Sequence, residues 1–183
     1  MRNVTDRTSD PFDLDPPCER SVPGYGDANA DFHVVGDHPG IHGGLGTGVP
    51  FTGEPWSPAF LSALTKGGLV AGVAEDVAPD GTGGDAESEP IRTERTYLSY
   101  LHMCVPDGEP TAASYDDMER FFDAELRAIA AHVLLPVGAK ATEHVLEQYT
   151  ARAWKTEVDM AALHGEELLG SGRLLLPTTD PAG

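Results

Sequence analysis

Alternating strands and helices predict an α/β protein for this 183-residue chain, a three-layer α/β/α fold with a central four-stranded parallel sheet. Two observations support this prediction: short apolar runs of strand length alternate with helix-like segments, and a glycine-rich loop directly follows the first run. Strands that alternate with helices usually form a parallel sheet with helices on both faces. Ligands bind such sheets beyond the carboxyl ends of the strands, which is where this loop would lie.

Four strands are predicted at 31–35, 95–103, 132–138 and 172–177. Ser57 begins a short helix with Pro58 in its first turn, and a Gly-Gly pair ends it. Ser114 is the expected cap of a longer helix, because apolar residues recur after it with a 3.6-residue period. Those residues are Met118, Phe121, Phe122, Leu126, Ile129 and Ala130. A further helix is expected from the third strand to about Tyr149.

The length suits one domain at 22–183, preceded by a polar, proline-containing segment at 1–21 that we expect to be loosely ordered. Residues 74–90 are acidic and glycine-rich without periodicity, which predicts a solvated surface loop. No apolar run is long enough to span a membrane, and residues 1–20 lack the apolar core that is typical of a secretory signal. We therefore expect a cytoplasmic protein. We also expect a monomer.

The charge balance is strongly acidic, with 30 acidic residues against 12 basic ones and a formal net charge of −18. This balance favours a halophilic protein, because dense surface carboxylates keep a protein hydrated in molar salt and the salt screens their repulsion. An ordinary acidic cytosolic protein is the alternative. In dilute salt such a charge argues against a nucleic-acid partner, but in molar salt counterion release contributes little. Charge alone therefore does not decide the partner.

The loop Gly36–Gly53 has the most unusual composition, with seven glycines, two prolines, two histidines and one aspartate in eighteen residues. It does not contain G-x-G-x-x-G, and Pro39 prevents direct entry into a long helix. G-x-x-x-x-G-K-[ST] does not occur in the chain either. A nucleotide-cofactor site is therefore disfavoured.

Six segments carry a different resemblance: GDHPG at 36–40, TGVPFTG at 47–53, CERSVPGYGDANAD at 18–31, YLSYLHMCVP at 97–106, LLPVGAKATEHVL at 134–146 and LLPTTDPAG at 175–183. Together they resemble the uracil-DNA glycosylase superfamily. The iron–sulfur family-4 branch is the most similar overall, and the first motif is similar to the single-strand-selective monofunctional branch. The matching segments lie in the correct order along most of the chain.

The resemblance implies a base-flipping DNA glycosylase that excises a damaged, deaminated base from DNA. It places Asp37 at the position of the catalytic glutamate, where a carboxylate orients the attacking water. His38 falls at a water-positioning residue of other branches. Asp180 replaces the histidine that donates to the base as negative charge develops. For Asp37 and His38, the alternative is ordinary loop polarity without catalysis.

Three further residues are implied to bind the base: Gly36 in the first motif, Phe51 as the stacking ring and Tyr100 in place of the asparagine that reads the uracil edge. Tyrosine does not offer the paired donor and acceptor of asparagine. Phe51 could instead be a core residue. A catalytically inactive relative that binds nucleic acid, a free base or a protein is therefore the alternative function.

The family-4 branch binds a 4Fe–4S cluster through four cysteines, and this chain has two cysteines. Cys18 and Cys104 match two ligand positions, while Ser21 and Met118 occupy the other two. We therefore expect no cofactor and no metal, and two thiols that could lie close together. The seven histidines show no spacing typical of metal ligands.

Overall fold

The computed structural model describes residues 7–74, 89–150 and 158–183. Most of the predicted acidic loop at 74–90 therefore lies outside the described residues. The elements in chain order are β1 (Tyr25–Gly26), β2 (Phe32–Gly36), α1 (Pro39–His42), α2 (Ser57–Lys66), β3 (Val70–Val73), β4 (Ile91–Thr93), β5 (Thr96–Tyr100), α3 (Ala112–Ile129), β6 (Val133–Pro136), α4 (Gly138–Tyr149), α5 (Met160–Leu163), β7 (Leu168–Leu169) and β8 (Leu174–Leu175). No helix in the described ranges combines the length and apolar character needed to cross a membrane.

The main sheet has the strand order β1-β5-β2-β6-β8-β7. Its four middle strands are mutually parallel, which confirms the predicted parallel core. The sheet is nevertheless six strands wide, because β1 and β7 add antiparallel edges. Each edge strand has only two residues, too few to show a period in the sequence. β3 and β4 form a separate antiparallel pair.

Apolar side chains from β2 divide between the two faces of the sheet, as the two-residue period of a strand requires. Val34 packs into a core cluster with Phe60 and Leu61 of α2. Val35 packs into the opposite cluster with Phe122 of α3, together with residues of α4. The sheet is thus the middle of three layers, as predicted.

The strand register brings the carboxyl ends of the parallel strands to one edge. Gly36 pairs with Tyr100, and Val35 pairs with Pro136. One residue beyond β6, Val137 forms an isolated parallel bridge with Thr178. The loops that leave β2, β5, β6 and β8 therefore meet at this edge.

Several predicted boundaries differ from the structure. The strand predicted to reach residue 103 ends at Tyr100, and the one predicted at 172–177 is limited to β8. α3 begins at Ala112, because the Thr111 side chain accepts a hydrogen bond from the Ser114 N–H and caps the helix. The start of α2 at Ser57 and the end of α4 at Tyr149 agree with prediction.

The described part of the N-terminal segment lies against the sheet. Ser9 forms an antiparallel bridge with Tyr25, and the Asp10 N–H donates to the Gly24 carbonyl. The Val22 N–H donates to the carbonyl of Met103, just beyond β5. These contacts hold residues 9–10 and the following residue Val22 to the sheet.

Candidate functional site

The loop Gly36–Gly53 folds tightly over the carboxyl end of β2, and two of its glycines are sterically required. A Cβ atom on Gly36 would lie 2.8 Å from the side chains of His42, Phe51 and Tyr100. Gly43 has a φ of +83°, and a Cβ there would lie 2.3 Å from the Thr52 carbonyl oxygen. The glycines therefore allow the loop to pack against its own side chains.

Asp37 follows β2 and is held from three directions. Its backbone N–H donates to His42 Nδ1 at 2.9 Å, and its carbonyl accepts from the His102 N–H at 3.0 Å. Its carboxylate oxygen Oδ1 accepts a hydrogen bond from the Tyr115 hydroxyl. Burial raises the pKa of Tyr115, and the hydrogen bond to Asp37 raises it further, so the phenol stays protonated and donates.

A cavity of about 740 Å³ opens beside this carboxylate. Its lining includes Asp37 and His38 from the loop, Pro106 beyond β5, Tyr115 from α3 and Lys140 from α4. The Lys140 ammonium lies over the Tyr115 ring, 4.9 Å from its centroid. The cavity thus combines a carboxylate, an imidazole and an ammonium group at the edge where ligands bind parallel sheets.

His38 is largely buried beside the cavity and caps α1. Its Nδ1 accepts a hydrogen bond from the Gly40 N–H at 3.0 Å. Burial lowers its pKa, against the opposing effect of the Asp37 carboxylate. Its ring is therefore neutral at pH 7, with the proton on Nε2. Asp37 and His38 lie together at the cavity, and their catalytic roles stay predictions.

Phe51 and Tyr100, the predicted base-binding rings, do not border the cavity. Phe51 is fully buried, with its ring centroid 5.0 Å from that of Phe60 and 5.4 Å from that of Tyr100. The Tyr100 hydroxyl donates to the His42 carbonyl at 2.6 Å and accepts from the Phe51 N–H at 2.8 Å. Both residues therefore belong to the core, where the Phe51 ring from the loop packs against the Tyr100 ring from β5. A role in base binding requires this cluster to open, and it stays a prediction.

Asp180 lies behind the loop, beside His42, and is not part of the cavity lining. Its Oδ1 accepts from the Ala182 N–H at 2.8 Å and is 3.4 Å from His42 Nε2. Since His42 Nδ1 accepts from Asp37, a neutral His42 carries its proton on Nε2, toward Asp180. The interaction with His42 lowers the pKa of Asp180, so this carboxylate is ionised at pH 7. His42 thus lies between the Asp37 backbone and the Asp180 carboxylate. Asp180 therefore interacts with His42 and does not border the cavity.

Sequence reasoning missed the roles of four residues: His42, His102, Tyr115 and Lys140. Tyr115 had a usable signal, because it precedes Met118 by three residues and Phe122 by seven and so lies on the same inward face of α3. His42 follows Asp37 by five residues, but only the one-turn helix α1 brings its ring back to the Asp37 N–H. His102 and Lys140 had no local signal in the sequence.

The four positions that the resemblance assigns to cluster ligands do converge. Cys18 and Cys104 form a disulfide, with their Cα atoms 6.0 Å apart. Ser21 forms an antiparallel bridge with Cys104, and Met118 Sδ lies 3.5 Å from Cys104 Sγ. A 4Fe–4S cluster needs four ligands, usually thiolates, and here two positions lack a thiol and the other two sulfurs are bonded to each other. These residues do not fit the cluster. Within the described ranges, no group of three or more His, Cys, Asp or Glu side chains could hold a metal ion.

The fold and the site define an α/β protein with a polar cavity at the carboxyl edge of a parallel sheet. The family model of the uracil DNA glycosylase superfamily matches residues 23–183. The chain belongs to this superfamily, which confirms the resemblance found in the sequence.

Similar curated proteins are named type-5 uracil-DNA glycosylases. The Thermus thermophilus protein is 32% identical over 143 residues, covering 77% of this chain and 61% of the relative. The Pyrobaculum aerophilum protein is 29% identical over 154 residues, covering 84% of the chain and 62% of the relative. The Mycobacterium tuberculosis protein is 30% identical over 115 residues, covering 62% of this chain and 40% of the relative. The chain therefore spans less than two thirds of these relatives. Their names also differ from the family-4 branch that the sequence resembled.

Proposed function

We propose that this protein is a monofunctional DNA N-glycosylase that removes a damaged, deaminated base in base-excision repair. The observation that carries the proposal is the Asp37 carboxylate at the open cavity, with one oxygen bound by Tyr115. Membership of the superfamily and the names of the relatives support the same reaction class. The partner would be DNA containing the modified base, whose nucleotide must leave the base stack to reach the site.

The reaction is a hydrolysis in which water adds to the anomeric carbon. The N-glycosidic bond breaks, its electron pair goes to the departing base, and the water proton is finally transferred to that base. Asp37 would orient the water and accept its proton. His38 carries an N–H donor and Lys140 an ammonium group, and both line the same cavity, where either could stabilise the developing negative charge on the base.

The test is base release from oligonucleotides that contain uracil, hypoxanthine or xanthine, single- and double-stranded, in dilute and molar salt. Asp37→Asn should slow release by roughly 10²- to 10⁴-fold, because it removes a general base while keeping the shape of the side chain. Asp117→Asn, at an exposed position of α3 outside the cavity lining, is the matched control and should retain wild-type activity. Release that survives Asp37→Asn unchanged would make His38 the candidate instead.

A second candidate function is a relative that binds without catalysis, and the closed cluster of Phe51 and Tyr100 favours it. With both rings buried, the residues predicted to hold the base present no open face to it. Asp180 also replaces a histidine that would donate to the base. The absence of base release from any substrate, together with measurable binding to the same oligonucleotides, would support this function.

We further infer that this member of the superfamily works without an iron–sulfur cluster. The support is the mismatch between a four-ligand cluster and the Cys18–Cys104 disulfide beside Ser21 and Met118. Halophilic adaptation, a cytoplasmic location and a monomeric state stay predictions.

A further inference from the structure

Tyr115 has an unusual position for a residue of the first turn of a surface helix. It is half-buried, and its hydroxyl donates to Oδ1 of Asp37. Its ring is fixed on two sides, by the edge-on His102 ring with a centroid distance of 5.4 Å and by the Lys140 ammonium. The phenol therefore cannot turn away from Asp37 without breaking its contacts with His102 and Lys140.

The backbone of Asp37 is fixed independently of Tyr115. His42 accepts its N–H and the His102 N–H donates to its carbonyl, so the main chain around Asp37 has little freedom. The remaining freedom is rotation of the carboxylate. Tyr115 restricts that rotation by binding Oδ1, and in the described part of the chain Oδ2 has no hydrogen-bond partner. Oδ2 is thus the oxygen left to accept a hydrogen bond from water.

We propose that Tyr115 is a positioning residue, which binds one oxygen of Asp37 so that the other receives the attacking water. This inference rests on the proposed glycosylase function. A carboxylate that is free to rotate spends less time in the reactive geometry, and small misplacements of a catalytic group can reduce a rate by as much as ~10²-fold. The loss on removing the hydroxyl should fall on the chemical step, because Tyr115→Phe keeps the ring that lines the cavity and removes only the group bound to Asp37.

The experiment is a double-mutant cycle on base release under single-turnover conditions, with Tyr115→Phe, Asp37→Asn and the double variant. Tyr115→Phe keeps the ring contacts and removes only the hydroxyl. It should lower the rate about 10- to 100-fold while DNA binding, measured by fluorescence anisotropy, is unchanged. In the Asp37→Asn background it should cause no further loss, because a residue that works through Asp37 has nothing left to position.

Two further variants separate positioning from a structural role. Tyr149→Phe, a half-exposed tyrosine of α4 whose ring lies against Arg173, is the matched control and should keep the full rate. Tyr115→His restores an N–H donor on a smaller ring and should recover part of the rate lost in Tyr115→Phe. Thermal unfolding of each variant is the control that tests whether the fold is retained.

Two results would overturn the inference while leaving the function intact: an unchanged rate for Tyr115→Phe, or an equal additional loss in the Asp37→Asn background. If the wild-type protein releases no base from any of the three substrates, the proposed function itself fails, and the positioning role fails with it. The wild-type measurement therefore distinguishes the two failures.

Discussion

Glu125 gives a quantitative prediction for the pH dependence of stability. This carboxyl group lies in α3 against the sheet, 1% exposed, and its Oε1 accepts from the Tyr97 hydroxyl at 2.7 Å. Its pKa is raised to about 8, mainly by burial and to a smaller extent by the nearby Asp10, while the hydrogen bond from Tyr97 acts in the opposite direction. Gly24 packs so closely that a Cβ there would lie 2.2 Å from Oε1.

The direction in which stability changes with pH follows from comparing proton binding by Glu125 in the folded and unfolded states. The pKa of an ordinary glutamate is 4.5, so between pH 4.5 and about 8 the folded protein holds a proton that the unfolded chain has lost. The stabilisation from this group is full below pH 4.5 and is lost as the pH rises to about 8. Each pH unit is worth about 1.4 kcal/mol. The loss at pH 7 is therefore roughly 3 kcal/mol as an order of magnitude, a large share of the stability of a typical domain.

Glu125→Gln removes this titration, and its side-chain carbonyl can still accept from Tyr97. The free energy of unfolding, measured by urea titration at pH 5, 6, 7 and 8 in constant salt, should fall with pH less steeply in the variant than in the wild type. Glu143→Gln, at an exposed position of α4, is the matched control for loss of one carboxylate. A difference between Glu125→Gln and wild type that stays constant from pH 5 to pH 8 would refute the reasoning.

The remaining predictions concern the cluster site and the buried ring. The purified protein should contain no iron and no acid-labile sulfide. Before reduction, a thiol reagent should detect no free thiol. Stoichiometric iron would show that Cys18 and Cys104 are ligands and not a disulfide. Phe51→Ala should destabilise folding by roughly 3–5 kcal/mol in urea titrations, as loss of a buried aromatic ring does. A loss below 1 kcal/mol, combined with weaker binding of the damaged oligonucleotide, would instead restore Phe51 as the stacking residue.

The parallel core could be predicted because each of its strands leaves a distinct apolar run in the sequence. The edge strands could not, since β1 and β7 have two residues each and depend on pairing with neighbours. The start of α3 was misplaced because Ser114 and Thr111 can both cap a helix, and only the fold selects Thr111.

Part of the candidate site could be predicted, because some of its residues directly follow a strand that the sequence reveals. Asp37 and His38 follow a strong strand, so their place at the sheet edge followed from the fold class. The inward direction of Phe51 depends on backbone angles in the loop, including its own φ of +64°, which no local pattern reveals. Tyr100 ends β5, and its hydroxyl bonds to the loop become visible only in the folded chain. The pairing of Asp180 with His42 joins residues far apart in the sequence.

The Cys18–Cys104 disulfide also makes a covalent ring of the chain between these residues, which contains β1, β2, α2 and β5. A break in any peptide bond inside this ring would leave two pieces that are still joined through sulfur. The loop with Asp37 and the strand that ends at Tyr100 would then stay on one covalent molecule after a protease had cut between them. The pieces would separate only once the disulfide was reduced, so on a denaturing gel the nick would be visible with reductant and hidden without it.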